Sequence, residues 1–250
     1  MKNISYLIFL TLVLCGCDYS SSDQSLNPNT SKTGVGGSTA RFAVSGDVLY
    51  TVDHNSLNVF DISDEQKPRK LKDIGIPATV ETIFPKGNIL FIGSQNGMFI
   101  YDISNPINPD QLSMYVHTVS CDPVVADDRY AYVTLRSQIG FCGRNVNELQ
   151  VIDIQDLNHP TQIASYQMTR PKGLGINNTT LFVCDDGLKI FDASDVLYLK
   201  ETHYFNIEAD DVIPLDDRLL VTGEDGLYQY RYADGKLDLM STIPIERIYN

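Results

Sequence analysis

Glu81, Asp122, Lys172 and Asp211 occupy matching places in the chain. Each lies nine residues before a small or aliphatic position (Leu90, Ala131, Leu181 and Leu220), and Ala40 stands at the same distance from Leu49; Asp210 is adjacent to Asp211, and the alignment of the fifth unit can slip by one. Three carboxylates and an ammonium at one level allow several kinds of chemistry. Two carboxylates flanking a glycosidic bond can divide hydrolysis between a general acid and a base or nucleophile. Hard oxygens can hold calcium weakly. A ring of mixed charge can equally be a polar, water-filled surface that meets a partner without catalysis.

A second set of residues is chemically suggestive but reads as scaffold. "LNVFDIS" at 57–63 returns as "MFIYDIS" at Met98 and "LQVIDIQ" at Leu149. The aspartates Asp61, Asp102, Asp153 and Asp192, with Arg231 in the fifth place, are spaced by 41, 51, 39 and 39 residues. In the first three a proline follows seven residues later, at Pro68, Pro109 and Pro160. An aspartate ending an apolar run accepts hydrogen bonds from turn N–H groups. The proline introduces an edge strand, where a missing N–H is tolerated. The repeated aspartate is therefore expected to be a turn residue.

The elements that position both sets are short strands. Runs such as "DVLYTV", "NILFIG", "RYAYVT", "TLFVC" and "RLLVTG" keep step with the aspartates, and turn pieces such as "DHNS", "SQNG" and "GEDG" separate them. No segment of ten or more residues carries a helical period. Four strands every ~40 residues describe a propeller blade, whose faces are buried only by stacking on neighbours. The expectation is an all-β, five-bladed β-propeller of four-stranded antiparallel blades over residues 40–246. The strings "LNVFD", "MFIYD", "LQVID", "LKIFD" and "LYQYR" resemble the third strand of the LVIVD repeat, a bacterial and archaeal propeller repeat. That resemblance implies the fold and an exported location, and brings no catalytic residues with it.

The loops joining second to third strands and one blade to the next emerge at one mouth of a propeller channel. The third unit lengthens the first kind of loop with "RSQIGFCGRNVNE", which adds Arg136 and Arg144 to Glu81, Asp122, Lys172 and Asp211 as a candidate binding face. Cys142 in that insertion and Cys121 before the same blade would form a disulfide in an oxidising compartment. Closing a loop of ~20 residues would contribute about 3 kcal/mol in the chain-entropy model. Cys184 falls at a packing position and is expected to be a buried thiol. The spacing of Cys121, Cys142 and Cys184 and of the four histidines fits no metal site, so no cofactor is expected beyond weak calcium.

Residues 1–16 have the form of an export leader: Lys2, then an apolar run from Ile4 to Leu14 that is too short to span a bilayer. Leu14, Cys15 and Gly16 before Cys17 resemble a bacterial lipobox, with Cys17 as the lipidated residue. Residues 17–39 are rich in Ser, Asn, Thr and Gly and read as a tether with an r.m.s. span of about 25 Å. A lipid there anchors without spanning and places the domain in the cell envelope. The net charge of −13 disfavours nucleic acid, whose phosphates need Lys and Arg. The expected partner at the loop face is a protein or glycan. Of the readings compared, a binding module stands ahead of a glycan hydrolase and of a purely structural envelope protein.

Overall fold

The structure, a computed structural model, describes residues 36–117, 123–138 and 142–245. Every sheet is built from consecutive chain. Blade 1 comprises β1 (Phe42–Ser45), β2 (Val48–Asp53), β3 (Ser56–Asp61) and β4 (Arg69–Gly75). Blade 2 comprises β5 (Val80–Lys86), β6 (Ile89–Ser94), β7 (Gly97–Asp102) and β8 (Asp110–Val116). Blade 3 comprises β9 (Val124–Ala126), β10 (Tyr130–Gln138), β11 (Cys142–Asp153) and β12 (Thr161–Gln167). Blade 4 comprises β13 (Pro171–Asn177), β14 (Thr180–Asp185), β15 (Leu188–Asp192) and β16 (Lys200–Phe205). Blade 5 comprises β17 (Asp211–Leu215), β18 (Arg218–Gly223), β19 (Gly226–Ala233) and β20 (Lys236–Pro244). Each is a four-stranded antiparallel meander, as the repeat predicts.

The repeated aspartates form the expected turns. Asp61, Asp102, Asp153 and Asp192 each accept the N–H two residues on, from Ser63, Ser104, Gln155 and Ser194, at 2.6–2.9 Å. Ser63 donates to Asp61 through its hydroxyl and its N–H, and Arg69 adds a guanidinium at 2.6 Å. These bonds pull the Asp61 carboxyl down to about 2. Such turns swing the chain from the third to the outermost strand, whose side chains are largely exposed.

Side-chain alternation directs apolar side chains to both faces of the blades, and four apolar clusters between neighbouring blades result. Tyr50, Val52, Leu57 and Val59 of blade 1 pack on Leu90, Ile92, Phe99 and Tyr101 of blade 2. Comparable clusters join blades 2 and 3, blades 3 and 4, and blades 4 and 5. Polar ties reinforce them: Tyr50 Oη donates to Pro106 O, Ser113 Oγ to Leu157 O and Tyr166 Oη to Val196 O, at 2.6–2.8 Å.

Among the described residues no such cluster joins blade 5 to blade 1. The ladder makes the difference visible. Leu57, Met98, Leu149, Leu188 and Leu227 hold one place in the third strand, opposite Ile74, Tyr115, Tyr166, Phe205 and Ile243. The first four pairs are covered by the next blade, whereas Leu227 is half-buried and Ile243 is 63% exposed. On the facing side, Phe42 of blade 1 is 60% exposed.

A polar clasp holds this seam at its inner edge. Ser38 Oγ donates to Asp211 Oδ1 at 2.7 Å, and the Thr39 N–H and hydroxyl donate to Oδ2 at 3.1 and 2.7 Å. The Leu174 N–H of blade 4 donates to Ser38 Oγ at 2.8 Å. Residues 37–39 thus belong to the propeller rather than to the tether expected over 17–39: Gly37 and Ser38 are buried. A Cβ at Gly37 would lie 2.2 Å from Asp211 Oδ2, and one at Gly173 2.2 Å from Oδ1, so both flanks of the carboxylate must be glycine.

Candidate functional site

The channel mouth contains a cavity of about 620 Å³ with walls from all five blades. Its ionisable lining is Arg41, His54, Glu81, Arg136, Lys172 and Asp210, with hydroxyls from Thr39, Thr79 and Thr82. Local backbone irregularity aims two of these side chains. The β5–β6 ladder skips a residue between Val80 and Thr82, at Glu81, and the β13–β14 ladder slips between Pro171 and Leu174, at Lys172. Bulges of this kind turn a side chain out of the regular alternation.

Lys172 ties three blades together. Its carbonyl accepts Thr134 Oγ1 of blade 3, and its ammonium donates to Asp210 Oδ1 of blade 5, both at 2.5 Å. The ion pair is part-exposed and therefore screened. On the opposite side, Ile83 N donates to Ala40 O and Val80 N to His54 O, each at 2.8 Å, which fixes blade 2 against blade 1.

The structure places Glu81, Lys172 and Arg136 in the lining of one cavity. Asp122 and Cys121 lie outside the described residues, so the three-carboxylate level and the Cys121–Cys142 disulfide do too. Cys142 and Arg144 lie on β11, with side chains outside the described part. The inserted segment of blade 3 is a lengthened hairpin, paired from Arg136↔Asn147 to Gln138↔Cys142 across a register shift. Cys184 is buried, and desolvation pushes its thiol pKa up. Among the described residues no group of three or more His, Cys, Asp or Glu is arranged to hold a metal ion.

Asp211 is the correction. It does not reach the mouth: it is 5% exposed and serves the clasp. Burial pushes its carboxyl pKa up, while the bonds from Ser38, Thr39 and Val212 oppose that rise. The cause is a one-residue phase error in blade 5. By ladder, Leu219 pairs with Pro214 as Leu49 pairs with Val44 and Leu181 with Ile176, so Leu219 and not Leu220 is the equivalent position. Nine residues before Leu219 is Asp210, which does line the cavity. Sequence reasoning also missed Arg41 and His54. Arg41 follows the alanine of the matched set by one residue, and His54 occupies the β2–β3 turn that opens at the mouth.

A family model described as the LVIVD repeat matches residues 36–70, 80–116 and 140–168. No curated protein matches the chain. Solved structures share the architecture at low identity. A Pseudomonas aeruginosa periplasmic gluconolactonase, PpgL, is 14% identical, with 80% of this chain and 68% of that one covered and a TM-score of 0.61. A putative 6-phosphogluconolactonase from Bacteroides uniformis is 13% identical, with 82% and 70% covered and a TM-score of 0.65. A functionally unknown protein from Desulfotomaculum acetoxidans is 9% identical, with 88% and 71% covered and a TM-score of 0.63. These likenesses extend to the fold alone.

Proposed function

We propose that this chain, an LVIVD-repeat β-propeller, is a binding module of the bacterial cell envelope, exported and anchored by a lipid on Cys17, that takes a glycan or protein at its channel mouth. The observation that carries the reading is the cavity itself. Five blades deliver hydroxyls, two carboxylates, two guanidiniums, an ammonium and an imidazole to one concave space of ligand size. A rigid scaffold with converging polar groups suits recognition. The hydrolase alternative keeps Glu81 and Asp210 at the mouth, but Asp210 is engaged by the Lys172 ammonium.

The test uses the full chain in its native envelope. Removal of residues 136–145 shortens the blade 3 hairpin at the mouth and is expected to abolish retention of glycan or protein partners without lowering the melting temperature. Retention at the wild-type level would refute the mouth as the site. For the anchor, Cys17→Ala is expected to release the chain from the membrane fraction, and a variant that stays in the pellet would refute lipidation there.

A further inference from the structure

We infer that the mouth takes a short peptide with free ends, its C-terminal carboxylate at Arg41 and its N-terminal ammonium at Glu208; this rests on the binding-module reading and sharpens its protein arm. The mouth cavity has a neighbour. A second cavity of about 440 Å³ lies between blades 4 and 5, with Arg170, Asp186, Asn206, Glu208 and Ala209 in its lining. Lys172 and Asp210 line both cavities, so the two spaces meet at that ion pair. Each has the size of a small-ligand site, and a ligand longer than either can occupy the two in series.

Charge is spread unevenly along this path. At the junction Lys172 and Asp210 neutralise each other, and in the second cavity Arg170 stands 3.3 Å from Asp186. Glu81, Thr82, Arg136 and Glu224 already have partners within the protein, and the fit calls on none of them. Among the described residues, the side chains of Arg41, His54 and Glu208 make no hydrogen bond or ion pair, and all three are exposed. Arg41 and His54 line the mouth cavity alone, and Glu208 lines the second cavity alone, so unpaired charges of opposite sign stand on either side of the junction. A ligand that satisfies both carries an anion at one end, a cation at the other and a neutral, hydrogen-bonding middle. A peptide with free termini has that form. The guanidinium matches its carboxylate with two parallel N–H···O bonds. The Glu208 carboxylate is an acceptor only and suits its ammonium. Between them, the unbonded Asn206 carboxamide offers a donor and an acceptor to a peptide group, and Asp210 Oδ2 can accept a main-chain N–H. A neutral glycan leaves the separated charges unanswered, and an acidic one sets like charge against Glu208. Complementary charge of this kind fixes which way round the peptide lies.

The experiment is calorimetric titration of the full chain in detergent with alanine dipeptide and pentapeptide, each with free ends, with the C-terminus amidated, or with the N-terminus acetylated. The account expects saturable binding of the free pentapeptide, tighter than the dipeptide, and a loss of roughly fivefold or more on blocking either end. Arg41→Gln should erase the difference between acid and amide and keep the response to acetylation, and Glu208→Gln should do the reverse. The melting temperature should stay at the wild-type value in both variants, since neither side chain is bonded. Affinity indifferent to the end groups, variants that do not separate the two responses, equal binding of both lengths, or silence to every peptide overturns the assignment. If retention of envelope partners still depends on residues 136–145, such results strike the peptide alone and leave the binding module standing. If that retention is also indifferent, the mouth reading falls with it.

Discussion

Replacing Asp211 by alanine should open the seam between the first and last blades. The carboxylate accepts three hydrogen bonds from Ser38 and Thr39 and a fourth from Val212 N at 3.0 Å. Ser38 is fully buried, so its hydroxyl has no water to turn to when the acceptor is removed. A stranded buried donor costs about 1–3 kcal/mol, and each bond to a charged group is worth about 1.5–3 kcal/mol. The Thr39 side chain reaches solvent and recovers part of its loss, and removal of a buried charge returns some desolvation energy. The net expectation is about 2–4 kcal/mol. For a domain of this size each kcal/mol moves the melting temperature by about 2–4 °C, so the drop should be on the order of 5–15 °C. Thermal unfolding of Asp211→Ala, Ser38→Ala and the double variant measures both the cost and the coupling. The two losses should be strongly sub-additive, because both substitutions break one contact. A drop below 2 °C for Asp211→Ala, or additive losses, would refute the clasp as the device that closes the ring.

Other predictions follow from the same geometry. Burial raises the Asp211 pKa, so the folded state holds that proton more tightly than the unfolded one. The resulting stabilisation is full below the ordinary value of 3.8 and fades as pH rises through the raised value. The melting temperature of the wild type relative to Asp211→Asn should therefore decline with rising pH across that window; a rise would contradict the assignment. Asp61 has the opposite sign: its stabilisation is present above 3.8 and disappears as pH falls toward about 2, so Asp61→Ala should flatten the acid limb of the stability curve. Leu188→Ala, in a buried cluster, should cost about 2–5 kcal/mol, whereas Leu227→Ala at the open seam should cost under half as much; equal losses in denaturant unfolding would show that the seam is packed. Gly173→Ala puts a methyl 2.2 Å from Asp211 Oδ1 and should cost about 1–3 kcal/mol by the same assay, with wild-type stability counting against the close approach.

Much of this architecture can be read from the sequence because a propeller is local. Each blade is a meander of consecutive strands, so the spacing of Asp61, Asp102, Asp153 and Asp192 reports the blade count and the turn chemistry at once. The long hairpin of blade 3 shows as the single enlarged interval between Asp102 and Asp153. The phase of blade 5 does not show, because Leu219 and Leu220 are both leucine and either satisfies an apolar pattern. Counting twelve residues back from Arg231, as Leu49 lies back from Asp61, would have selected Leu219 and hence Asp210. The clasp lies beyond such counting. Ser38 and Thr39 look like tether, and their partner is more than 170 residues away. Arg41 and His54 escaped for a related reason: only the closing of five blades around a channel brings them beside Glu81 and Lys172.

The central claim is that the mouth is where the molecule meets its ligand. Its most direct test is to plug the mouth. Thr79→Cys carrying a bulky maleimide sits in the cavity wall, and Thr202→Cys with the same label sits on the outermost strand of blade 4. Retention of envelope glycans and proteins should be lost with the label at 79 and kept with the label at 202. Retention that survives the plug at 79 would contradict the account.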